Sequence, residues 1–158
     1  MSAQLIFDLA PLGAIVRYSD GTPQPPARHS KKLAAWQDRN NAGRLVRRQA
    51  ERHLGNNTTI PASFTVHVGD YGSREVIVLR VFRSYQVDSD LKFTVEKRPA
   101  SGSVLVLERP GDEAELVYVG ANRQDAEEWL QRHGYPNAVL SEVSADDVAA
   151  DFVEGRAA

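Results

Sequence analysis

Apolar and polar positions alternate strictly in two stretches in the middle of the chain. Over 62–68, Phe64, Val66 and Val68 alternate with Ser63, Thr65 and His67, and over 91–97 Leu91, Phe93 and Val95 share one parity. A period of two puts successive side chains on opposite faces, so both stretches predict half-buried β-strands. Between and after them, Glu75–Phe82, Ser103–Leu107 and Glu115–Val119 are apolar at both parities. Such runs predict strands covered on each side. The links between these segments are short and rich in Gly, Pro, Asp and Ser, so the simplest topology is an antiparallel meander of five strands near 62–68, 75–84, 91–97, 103–108 and 115–120.

The period then changes to 3.6. Asn122 stands as a cap before Ala126, Trp129 and Leu130 on one stripe, and Gly134 follows as a stop, predicting a helix near 122–133. Ser144, with Asp147 three residues on, begins a second helix near 144–154 whose apolar face is Val148, Phe152 and Val153. Trp129 and Phe152 are expected against the sheet. Residues Asn137–Val143 predict a short strand between the two helices, and a third, shorter helix fits 30–39, with Ser30 as cap and Leu33 and Trp36 on one face. Near the N-terminus, Gln4–Leu9 and Ala14–Ser19 predict two strands joined through Pro11 and Gly13, and the proline-rich 19–27 predicts an extended connector. The expected fold class is α+β: a mostly antiparallel sheet, curled toward a partial barrel by the N-terminal pair, with two C-terminal helices and one short N-terminal helix packed on it.

Composition keeps this picture within one domain. The chain has 158 residues, 42% apolar and 25% charged, the profile of a globular protein with one core. It divides by charge into a basic part (1–60), the β-rich part (61–120) and an acidic helical part (121–158). With no cysteine, disulfides, thiolate metal sites and a cysteine nucleophile are excluded. The start of the chain lacks a basic n-region and carries Asp8 and Pro11, and the uncharged apolar run at 76–79 is far short of a membrane span. A cytoplasmic protein without membrane contact is the expectation.

Charge is uneven along the chain. Residues 1–60 hold nine Lys/Arg and four Asp/Glu, residues 61–100 six and five, and residues 101–158 four and twelve. Eight of the cations fall within 26–53, against Asp38 and Glu51 alone. Lys31 and Lys32 occupy a first helical turn, where the macrodipole disfavours cations and where unpaired backbone N–H groups face outward. Arg28, Ser30, Lys31 and Lys32, extended by Arg44, Arg47 and Arg48 on the following strand, therefore form a candidate phosphate-binding patch without base readout. The competing readings are a solvated face, or one neutralised by the acidic end of the same chain.

No catalytic chemistry is legible in local motifs. The four histidines are never within five residues of one another, phosphate-loop and nucleophile-elbow patterns are missing, and the Asp88–Asp90 and Asp146–Asp147 pairs lack the rest of a calcium loop. No metal, cofactor or catalytic residue is assigned. The expected function is a non-enzymatic intracellular binding or accessory protein whose basic patch at 28–52 contacts nucleic acid or another polyanion. The alternative is an interaction or inhibitor protein presenting its acidic C-terminal helices to a basic protein partner. An enzyme with a dispersed site is the third reading, and the arrangement that would favour it is convergence of several of His67, Asp70, Glu75, Asp88 and Arg80 in one pocket around a metal or ligand.

Overall fold

The computed structural model describes residues 1–148. In chain order the elements are α1 (Ala3–Leu9), β1 (Ile15–Ser19), α2 (Ser30–Arg39), β2 (Asn41–Gln49), β3 (Arg52–Leu54), β4 (Thr58–Ile60), β5 (Ser63–Ser73), β6 (Val76–Gln86), β7 (Lys92–Lys97), β8 (Val104–Leu107), β9 (Leu116–Gly120), α3 (Arg123–His133) and β10 (Val139–Glu142). A further helical turn begins at 145. The class is α+β with antiparallel strand pairing throughout, as the periodicities require.

The five strands do not form one meander, however. One sheet runs β6-β5-β2-β1-β7, a second runs β10-β8-β9, and β3 with β4 makes a small hairpin. The segments at 91–97 and 63–73 are separated by β1 and β2, because the N-terminal part of the chain returns between them. The segments at 104–107 and 116–120 leave this sheet altogether and pair with 139–142. The sheets form no closed barrel.

Two local expectations also change, and one hairpin appears that was not expected. Residues 3–9 are a helix instead of a strand: the Ser2 hydroxyl accepts from the Leu5 amide, and Ala3 and Ile6 are buried one turn apart, a helical spacing. Ser30 is the first helical residue of α2, and the cap position falls on His29, whose side chain makes no capping bond. The Asn56-Asn57 pair, in the left-handed region at φ 58° each, turns the β3–β4 hairpin, which period-two counting over three-residue strands does not reveal.

Two cores result. The first joins α1 to the five-stranded sheet through Ile6, Val16, Tyr18, Leu45, Phe64, Val66 and Phe93. Phe64, Tyr85 and Phe93 pack there as tilted and edge-on rings with centroids 5.3 to 5.9 Å apart, the geometry the aromatic quadrupole favours. The second packs α3 on the three-stranded sheet through Val104, Val106 and Ala126, with Trp129 and Leu130 half-buried beside them. Asn122 caps α3 by accepting from the Asp125 amide at 2.9 Å, and Gly134 ends it at φ 63°, the left-handed conformation that glycine adopts without strain. Ser144 and Asp147 form the expected reciprocal cap, the Asp147 amide donating to the hydroxyl and the Ser144 amide to the carboxylate. Phe152 and Val153 lie outside the described residues. Among the described residues, no helix is long and apolar enough to cross a membrane.

Candidate functional site

The β5–β6 hairpin outgrows its sheet. β2 pairs with β5 only from Gln49↔Ser63 to Arg44↔His67, whereas β5 and β6 stay paired out to Ser73↔Val76. Beyond His67 the hairpin is a two-stranded ribbon, closed by Arg74 and Glu75 at positive φ. Where the ribbon leaves the sheet, a cleft of about 360 Å³ opens between it and the second sheet.

One wall of this cleft comes from the long hairpin and β2: Arg44, Val46, His67, Asp70, Ile77, Arg80 and Phe82. By strand alternation Leu45 enters the first core while Arg44 and Val46 line the cleft, Val46 being the unpaired residue of a bulge between Leu45 and Arg47. The other wall comes from β9 and α3, including Glu115, Tyr118, Trp129 and His133. Here Tyr118, Trp129 and His133 stack nearly parallel, with centroid separations of 4.8 and 4.1 Å. The His133 ring also meets the Trp129 carbonyl through Nδ1 at 2.8 Å. The Tyr118 hydroxyl donates to the Asp125 carboxylate, and burial with that neighbouring charge pushes the phenol pKa up. Trp129 is thus held between ring neighbours at the cleft instead of sinking fully into the core.

The polar centre is a cluster on the hairpin. His67 Nε2 lies 2.6 Å from Asp70 Oδ1, and Arg80 Nε lies 3.6 Å from the same oxygen. The His67 ring rests on Phe82 with centroids 5.2 Å apart. Three of the five residues whose convergence would favour an enzyme therefore share one wall. Glu75 lies toward the ribbon tip, in a groove with Val76–Arg80 and His133, and Asp88 lies apart beside Ser63 and Tyr85. Charges in the cleft balance, Arg44 and Arg80 facing Asp70 and Glu115. Among the described residues, no three His, Asp or Glu side chains group as metal ligands.

The chain matches, over residues 1–147, the family described as "Uncharacterised conserved protein UCP036055". It belongs to that family. The match takes in both sheets, α3 and every residue of the cleft. Nothing matches among curated proteins or among solved structures.

The predicted basic patch is distributed over two places. Arg28, Lys31 and Lys32 are exposed around the start of α2, with Arg28 Nε 3.3 Å from His29 Nε2. The three arginines of β2 are engaged elsewhere. Arg44 donates to the Gly13 carbonyl at 2.9 Å and Arg47 to the Glu113 carbonyl at 3.0 Å. Arg48 stands beside Phe7, Leu12 and Leu107, its Nε buried without a hydrogen-bond partner, and burial lowers its pKa against the opposing charge of Asp8. Glu113, in the loop before β9, meets the basic part of the chain: it accepts from the Ala50 amide and pairs with Arg52, and these bonds hold its pKa below the usual range.

Sequence reasoning missed the cleft because its walls come from segments roughly 30 to 90 positions apart and from two different sheets. One signal was present: His67 and Asp70 lie three apart in a stretch whose alternation shifts at Gly69, a register irregularity that brings both to the cleft side.

Proposed function

We propose that the protein is a non-catalytic binding module that holds a short polypeptide segment of a partner protein in the cleft between its two sheets. The observation that carries this reading is the composition of the cleft: apolar walls of Val46, Ile77, Phe82 and Val117 around a few fixed polar groups of both signs. A peptide presents the matching mixture of aliphatic side chains, amide donors and carbonyl acceptors. A polyanion does not, because Asp70 and Glu115 stand among the cationic groups. Arg44 uses one of its five N–H donors on Gly13, leaving others for a carboxylate or carbonyl at the cleft mouth.

A catalytic reading of the same cleft has one observation behind it. His67 beside Asp70 is the geometry of an oriented general base. Yet the described residues lining the cleft include no serine, threonine, cysteine or lysine that such a base would activate. The polyanion reading of Arg28, Lys31 and Lys32 keeps the exposed start of α2 and loses the support of the β2 arginines, since Arg47 is held by Glu113, Arg48 stands on the α1 side and Arg44 lines the cleft with Asp70 and Glu115.

A fluorescence titration separates the three. The chain has two tryptophans, so Trp36→Phe leaves Trp129 as the sole reporter, inside the cleft. Peptides selected from a random library should change its emission, and Phe82→Ala or Arg80→Glu should weaken them at least tenfold. Salt-dependent binding of single-stranded DNA, abolished by Lys31→Glu with Lys32→Glu and unaffected by Arg80→Glu, would sink the peptide reading in favour of the polyanion one. Turnover of any ester or amide lost specifically in His67→Ala would sink it in favour of catalysis.

A further inference from the structure

Arg80 stands in the cleft with its donors unspent. It shares a face of β6 with Phe82 by alternation, and the register irregularity opposite Tyr71 and Gly72 brings Ile77 to the same side, so the guanidinium lies in a row between two apolar side chains. Asp70 is its cross-strand partner, yet Arg80 Nε is 3.6 Å from Asp70 Oδ1, beyond hydrogen-bond length, while His67 Nε2 holds the same oxygen at 2.6 Å. Among the described residues no other acid pairs with Arg80: Glu115 stands on the opposite wall, and Glu75 closes the ribbon turn. The formal charges of the cleft balance, but its hydrogen bonds do not. A guanidinium carries five N–H donors in a planar fork, and here none of them is bonded to a described residue.

Resting on the polypeptide reading above, we propose that the segment held in the cleft carries one carboxylate that docks on the Arg80 guanidinium, with an aliphatic side chain beside it against Ile77 and Phe82. Two coplanar carboxylate oxygens match the fork with two parallel bonds, whereas a backbone carbonyl offers one oxygen and no charge. Hydrogen bonds to an ionised partner are also roughly twice as strong as neutral ones. A single carboxylate is what the site tolerates, since Asp70 and Glu115 oppose a second. Asp70 is the resident rival for Arg80, and the bond to His67 draws it aside. The carboxylate is either the C-terminus of the segment or one of its Asp or Glu side chains, because the chemistry at Arg80 is the same.

The probes are N-acetyl-leucine, its amide, and the library-selected peptide made as the free acid, as the C-terminal amide, and with each Asp or Glu replaced in turn by Asn or Gln. All are read on Trp129 emission in the Trp36→Phe protein. N-acetyl-leucine should bind at least about tenfold more tightly than its amide, the span of a lost hydrogen bond to a charged group, and one change to the peptide should cost as much. Amidation as the costly change identifies a C-terminal carboxylate, and a single replacement identifies a side chain. Arg80→Gln should abolish the preference for acid over amide with the thermal midpoint unchanged, Arg80→Lys should keep part of it, and Asp70→Asn should tighten the acid probes alone. Equal binding of acid and amide forms overturns the proposal and leaves the polypeptide reading standing. A preference that survives Arg80→Gln overturns it too, as does an Asp70→Asn variant that weakens acid and amide probes alike. If N-acetyl-leucine binds with the acid preference while no longer peptide binds, the carboxylate site stands and the polypeptide reading falls. No binding by any probe overturns both.

Discussion

The inner and outer halves of the β5–β6 hairpin are made from the same kinds of residue and end in opposite environments. In the inner half, Phe64 and Val66 are fully buried in the core that α1 shares, with Phe64 packed against the rings of Tyr85 from β6 and Phe93 from β7. In the outer half, Val76, Val78 and Leu79 stand in solvent. Hydrophobicity does not distinguish them, since 76–79 is the more apolar of the two. The difference is the neighbour: β2 supports β5 up to His67 and stops. An apolar strand is thus a statement that a surface needs covering, and within the described chain only the inner half is covered.

That contrast can be broken most forcefully in the buried half. Phe64→Ala should destabilise the fold by about 3–5 kcal/mol, the range for deleting a core aromatic, measured by chemical denaturation. Tyr71→Ala, at the equivalent outer level, should change it by less than ~0.5 kcal/mol. Similar losses at the two sites would mean that the outer half is covered as well.

The next effect is confined to the ribbon. Any side chain at Gly72 runs into the Val76 carbonyl across the strand pair, so Gly72→Ala should force the outer register apart. Amide exchange over residues 70–79 should accelerate at least tenfold, while the Phe64 and Val66 amides keep their protection. Uniform acceleration would show that the two halves open together.

A smaller effect separates both halves of the hairpin from α2, which buries none of its residues and is tied down by polar bonds. Asp20 accepts from the Thr22 hydroxyl at 2.6 Å and from the Asn40 amide nitrogen at 3.0 Å, and pairs with Arg39. These bonds, those from Thr22 foremost, hold its pKa well below the usual carboxylate range. A lowered folded-state pKa contributes stability that is complete above the unfolded value and lost as pH falls toward the folded one. The thermal midpoint of the wild type should therefore fall on acidification below about pH 4 more steeply than that of Asp20→Asn. The smallest change is expected at the other end of α2. Lys31→Glu with Lys32→Glu should raise stability slightly, since anions at an exposed helix start are favoured by about 0.3–1 kcal/mol each at most. A loss of stability would mean that the lysines are engaged in the fold.

Much of the secondary structure could be read from single residues and short periods. Phe64, Val66 and Phe93 alternate because one face of each strand is buried, and Asn122 and Gly134 delimit α3 because helix ends need a side-chain acceptor and a left-handed stop. The class, α+β with antiparallel sheets, follows from those local rules. The N-terminal helix was misread because Leu5, Ile6 and Phe7 form a run too short to carry a period, and Ser2 alone marked its start.

Strand order was decided elsewhere. Nothing in residues 91–97 says that Phe93 lies across from Tyr18 instead of Phe82, because backbone pairing is the same for every neighbour. The choice depends on where β1 and β2 return, and they insert between β5 and β7 with α1 closing the core behind them. The cleft is a consequence of that insertion. His67, Asp70 and Arg80 are near one another through the hairpin alone, but they face Trp129 and Tyr118 only because β8 and β9 left the first sheet for a second. The sequence determined which surfaces are apolar, since that depends on side chains and a local period. Which of them met, and which stayed open, depended on long-range closure, where many registers of similar local energy compete and only the packed whole distinguishes them.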